Sequence, residues 1–115
     1  MKKMLENYYN NKKIKTILGK GTLFNGTLHF KDSLKINGTF SGEINAGGLL
    51  IVGEGAIVKA NVLADSVIVL GTIDGNVHAK DKVEMLPTGR VYGDVKSKKI
   101  KISDGVIFSG SCEMI

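Results

Sequence analysis

The sequence predicts an all-β fold, a single-stranded β-helix (β-solenoid) of about six coils of 16–18 residues. Three observations carry the prediction. Glycine returns at Gly21, Gly38, Gly55, Gly71, Gly89 and Gly105, with gaps of 17, 17, 16, 18 and 16 residues, and a similar short apolar motif follows each one. Self-similarity at such a period marks stacked units that cannot bury an apolar face alone. The composition agrees: 43% apolar residues, 15 glycines, one proline and no tryptophan, a mixture suited to short strands and tight corners. Finally, apolar residues fall into columns two residues apart, the alternation of a strand with one buried face.

Residues 1–20 stand outside the repeat. They hold six lysines (Lys2, Lys3, Lys12, Lys13, Lys15, Lys20) against Glu6, so the whole net charge of +5 lies there, and residues 21–115 carry ten basic and ten acidic side chains. A basic, flexible tail over residues 1–20 and a β-helix over residues 21–115 are expected. A basic tail suits anionic lipid, nucleic acid or an acidic partner. The neutral body excludes a nucleic-acid groove along the coil. Met1, Lys2, Lys3, Met4 and Leu5 form a small apolar and basic patch, the candidate membrane contact, and Ile14, Ile17 and Leu18 are candidates for a lid on the first coil.

From Gly21 the predicted inward columns are Leu23, Phe40, Ile57, Ile73, Val91 and Ile107; then Leu28, Ile44, Val62, Val77, Val95 and Cys112; then Leu34, Leu49, Val67, Val83 and Ile100; and last Ile36, Ile51, Val69, Met85 and Ile102. Small residues (Ala46, Ala64, Ala79, Ser97) follow the second column, with Phe30 the exception. A second set of glycines (Gly26, Gly42, Gly75, Gly93, Gly110) precedes the second column, with Ala60 as the substitute. Two glycine corners and a softer one near Asp65-Ser66, Lys80-Asp81 and Lys98-Lys99 predict a three-sided coil.

Candidate chemistry is sparse. His29 and His78 fall in equivalent outward positions three coils apart, roughly 14 Å by the strand spacing, too far to share a metal. Cys112, the sole cysteine, allows no internal disulfide, which fits a reducing cytosol, and its place in an apolar column predicts a buried, inert thiol. Glu43, Asp74 and Asp94 sit beside corner glycines, where turn chemistry accounts for them. Gly-Lys-Gly-Thr (19–22) lacks the upstream glycine of a phosphate cradle. No segment reaches the eighteen or so apolar residues of a membrane span, and no secretory h-region follows the N-terminal lysines. A cytoplasmic, non-enzymatic protein without catalytic, metal or cofactor residues is expected.

The segments Gly-Thr-Phe-Ser-Gly-Glu-Ile (38–44), Gly-Thr-Ile-Asp-Gly-Asn-Val-His-Ala (71–79) and Gly-Arg-Val-Tyr-Gly-Asp-Val (89–95) closely resemble the bactofilins, a polymer-forming bacterial cytoskeletal family. Gly-Val-Ile-Phe-Ser-Gly-Ser-Cys-Glu-Met (105–114) resembles the family's closing coil, and the likeness spans residues 21–115. The resemblance implies a right-handed, triangular β-helix. It implies end-to-end assembly into filaments without nucleotide, and an N-terminal tail that docks on the inner face of the cytoplasmic membrane. It also implies cell-envelope or peptidoglycan-modifying proteins as partners. Leu23 and Phe24 at one end and Ile107, Phe108 and Met114 at the other are the candidate self-association residues, because an open solenoid end exposes strand edges and core. Two other readings compete: a hexapeptide-repeat acyltransferase, for which strict hexads and a placed histidine are missing, and a β-helical regulator of cell division.

Overall fold

The computed structural model describes residues 14–19, 21, 23–31 and 33–115, with the backbone alone at residues 14–18, Phe24 and Phe30. Its strands are β1 (Ile14–Leu18), β2 (Leu23–Phe30), β3 (Ser33–Ile36), β4 (Thr39–Ala46), β5 (Leu49–Val52), β6 (Ile57–Val69), β7 (Thr72–Asp74), β8 (Val77–Met85), β9 (Arg90–Tyr92), β10 (Val95–Ile102), β11 (Ile107–Ser109) and β12 (Cys112–Met114). All pair in parallel and run through three ladders. The first side stacks the leading parts of β2, β4 and β6 with β7, β9 and β11. The second stacks the following parts of β2, β4 and β6 with the starts of β8 and β10 and with β12. The third stacks β1, β3, β5 and the ends of β6, β8 and β10. The result is an all-β, three-sided parallel solenoid of about five turns, against the six expected. Among the described residues the last layer holds two sides, β11 and β12.

Alternation builds the core. Along β6, Val58, Ala60, Val62 and Ala64 are buried while Ile57, Lys59, Asn61 and Leu63 are exposed, and the pattern resumes past a corner at Val67 and Val69. Each inward side chain lies on its copies in adjacent layers, as in Ile44, Val62, Val77 and Val95. Burying such a side chain contributes about 1.5–3 kcal/mol.

The first column differs from the sequence-based expectation in three coils. Its inward members are Phe40, Val58, Ile73, Val91 and Phe108, with Phe24 in the same register. Leu23, Ile57 and Ile107 are outward wall residues, 79%, 41% and 47% exposed. The cause is that two kinds of glycine had been merged. Gly21, Gly55 and Gly105 adopt φ of +81°, +83° and +90° inside the turn, two residues before their strand, in a conformation that favours glycine. Gly71 and Gly89 stand one residue before the strand, where a Cβ would press on backbone carbonyls, at 2.7 Å from that of Ala56 and 2.8 Å from that of Val69 respectively. Aligning one kind on the other shifts the phase by one residue, and a one-residue shift inverts every side chain.

The third side carries a second correction. Leu50 and Val52, not Leu49 and Ile51, occupy the inward register with Val67 and Val69. Leu49-Leu50-Ile51-Val52 is apolar throughout, so alternation leaves no trace in it. Residues 14–18, which the sequence placed in the tail, lie in the sheet as β1, paired with β3.

Candidate functional site: the ends of the coil

At the C-terminal end β11 covers β9 and β12 covers β10 at Val95–Ser97, but among the described residues no strand covers Lys99–Ile102 on its outer side. That stretch is a free parallel edge with its backbone groups open to pairing. Around it lie side chains that hold the inward register and have no further layer above them. Ile102 is 47% exposed and Met114, in register with buried Ser97, is 63% exposed. Ile115 is 57% exposed and its N–H donates to the Ser97 carbonyl at 2.9 Å. Ile100 and Phe108 are half-buried against the core. Glu113, in register with Lys96, points to the wall and pairs with it at 3.8 Å, and the lysines of the edge itself, Lys99 and Lys101, alternate outward from Ile100 and Ile102. The end is therefore a small apolar surface beside an open strand edge.

Of the expected self-association residues, Phe108 and Met114 lie at this end in inward register, and Ile107 turns to the wall opposite Arg90. Leu23 is likewise a wall residue, beside Thr39, and the Phe24 side chain lies outside the described residues. Ile100 and Ile102 were read from the sequence as core, and they are uncovered because, among the described residues, no strand follows the end of β10 on the third side. Met1, Lys2, Lys3, Met4 and Leu5 lie outside the described residues.

Cys112 corrects another expectation: it holds the inward register over Val95 yet is exposed, because β12 is the last layer. Its partly desolvated thiol has a raised pKa, the opposite of an activated nucleophile. Beneath β12, Ser97 is fully buried and its hydroxyl finds no hydrogen-bond partner among the described residues.

Of the acids beside the corner glycines, Asp94 joins a polar ladder between layers. The Asn76 N–H donates to Asn61 Oδ1 at 3.4 Å, the Asp94 N–H to Asn76 Oδ1 at 3.4 Å, and the Ser111 hydroxyl to Asp94 Oδ1 at 2.8 Å. These side chains tie one layer to the next. A shallow groove of 470 Å³ beside them, bordered by His29, Asn45, Leu63 and His78, mixes both signs of charge with apolar wall. The two histidines sit three layers apart in the outward register. No cluster of three metal-ligating side chains occurs among the described residues. Lys80, Lys82, Lys98, Lys99 and Lys101 are exposed around the corner before the third side, with Asp81 among them.

Comparison with known proteins places this geometry. A family model described as "Bactofilin: Polymer-forming cytoskeletal" matches residues 16–113. Bactofilin BacP of Myxococcus xanthus is 35% identical over 99 residues, 86% of this chain and 41% of that protein. Bactofilin BacO of the same organism is 34% identical over 99 residues, 86% of this chain and 79% of that protein. This chain thus spans well under half the length of BacP and most of BacO. A cryo-EM reconstruction of Thermus thermophilus bactofilin double helical filaments matches with a TM-score of 0.82 and 29% identity, covering 85% of this chain and 97% of that one.

Proposed function

The chain belongs to the bactofilin family, the polymer-forming cytoskeletal proteins, and from that premise we propose that it assembles end to end into filaments through the apolar ends of its coil. The observation that carries this reading is the C-terminal end, where Ile102, Met114 and Ile115 hold apolar surface beside the unpaired edge of Lys99–Ile102. A second subunit stacked there continues the same ladders that hold one layer on the next, so assembly needs no nucleotide. The solved filament of the Thermus relative supports the reading.

The filament acts as a structural scaffold at the cytoplasmic face of the membrane, with residues Met1–Leu5 as its lipid contact. It gathers cell-envelope or peptidoglycan-modifying proteins along that face. Each contact is weak, since a basic residue near anionic lipid contributes about 1 kcal/mol, and repetition along a filament multiplies it.

Negative-stain microscopy of the purified protein without nucleotide tests assembly. Filaments are expected, and discrete trimers or dimers would overturn the reading. Flotation with anionic vesicles, comparing the native chain with a Met4→Glu, Leu5→Glu double variant, tests the lipid contact. Loss of flotation in the variant is expected, and equal flotation of the two would remove it.

A further inference from the structure

The third side carries an outward column that does not behave as a solvent-facing wall. Alternation turns Ser33 and Lys35 on β3, Leu49 and Ile51 on β5, and Ser66 and Ile68 on β6 away from the core. Ile51 is nonetheless 1% exposed and stands outside the core cluster. Ser33 and Lys35 are 7% and 9% exposed. Burial then fades along the stack: Ile68 and Glu84 are half-buried, and Lys82, Lys99 and Lys101 are exposed.

Neighbours in a ladder cover an outward side chain from the layers above and below, but the direction normal to the sheet stays open. Near-complete burial of Ile51 requires cover from that direction. The gradient sets the cover at the end of the coil where β1 lies on β3. It also coincides with composition, because the outward apolar residues (Leu49, Ile51, Ile68) all lie there, beside Ser33, Lys35 and Ser66, whereas those farther along are charged (Lys82, Glu84, Lys99, Lys101). Desolvation lowers the pKa of Lys35 in the same place.

We propose that this face is a docking site for the chain's own N-terminal segment, residues 1–13, whose apolar side chains close over Ile51. The segment begins where the cover is needed, since β1 opens at Ile14 beside Ser33, the edge of this face. Thirteen extended residues reach up to about 43 Å, whereas the two layers from β3 to β6 rise about 10 Å. The segment supplies matching chemistry in Met1, Met4, Leu5, Tyr8 and Tyr9. A docked segment withholds Met1, Met4 and Leu5 from lipid, so docking competes with the membrane contact proposed above. The docking itself does not depend on the filament or membrane reading.

Thiol protection reads the cover directly. In the full chain with Cys112→Ser, an Ile51→Cys probe is labelled with a maleimide, with the native tail and with Met4, Leu5, Tyr8 and Tyr9 all changed to serine. Ile68→Cys serves as the probe if Ile51→Cys loses the far-UV β signal. Docking predicts labelling about tenfold or more slower with the native tail, the ratio being set by the docked-to-open equilibrium. Equal rates with both tails overturn the proposal. Protection that persists with the serine tail but disappears on dilution below assembly assigns the cover to a second copy of the chain, and overturns it as well.

Discussion

Two glycines of the solenoid test the physics of its corners. Gly93 adopts a φ of +142°, and a Cβ there would collide with the carbonyl oxygen of Gly75 in the layer below. Gly55 adopts a φ of +83° and a Cβ there meets nothing within 4 Å. Alanine at Gly55 incurs only the conformational cost, about 1–2 kcal/mol. Alanine at Gly93 incurs a comparable backbone cost, about 1–3 kcal/mol, and must also push two layers apart. Interlayer bonds at this corner run from the Gly75 N–H to the Tyr92 carbonyl and from the Gly93 N–H to the Ser109 carbonyl, each 2.9 Å. Weakening both adds about 2 kcal/mol, so Gly93→Ala should destabilise by about 4 kcal/mol. That is a large share of the ~5–15 kcal/mol of a typical domain. Urea unfolding followed by far-UV circular dichroism reads the difference, at equal protein concentration because assembly adds stability by mass action. Equal losses for the two variants, or under about 1 kcal/mol for Gly93→Ala, would refute the steric account of the stacked corner.

Lysine at both Ile102 and Met114, exposed end positions, should leave the β signal intact and weaken association at least about a hundredfold, since burying an unpaired charge costs several kcal/mol; sedimentation reads it, and normal filaments would place the interface elsewhere. Phe108 packs against the core in register with Val91, so Phe108→Ala should cost about 2–3 kcal/mol in urea unfolding, toward the low end for a buried aromatic because the ring is half-buried; an unchanged midpoint would contradict its inward placement. Ser97→Ala removes a buried hydroxyl without a partner and matches Ala64 and Ala79 in its column, so it should stabilise by about 1 kcal/mol; a lower midpoint would show that the hydroxyl is satisfied. The raised Cys112 pKa means less thiolate at a given pH, so maleimide labelling of unassembled protein should lag a free thiol near pH 8 and catch up only at higher pH; faster labelling than a free thiol would reverse the assignment.

The sequence by itself determined the solenoid. The 16–18-residue period, the Ile, Val and Leu columns two residues apart and the paired glycine corners are local features, and stacking identical local features in parallel leaves one architecture. The register of the second column, Leu28 through Cys112, was legible because every coil meets it two residues after the same corner position, glycine in five coils and Ala60 in the other. Where the spacing to the corner varied, phase was lost. Leu23, Ile57 and Ile107 follow turn glycines that the letter G does not distinguish from the close-approach glycines Gly71 and Gly89. Only the folded backbone, through its φ and its contact with the neighbouring layer, separates the two kinds. The assembly end was half legible for a related reason. Met114 follows from position, but the exposure of Ile100, Ile102 and Cys112 depends on which side of the coil the chain stops covering, and that is settled by the register of β12 on Val95–Ser97. The four-residue apolar run of β5 hid the outward turn of Ile51, because direction in a strand is a relation to a partner and not a property of the residue.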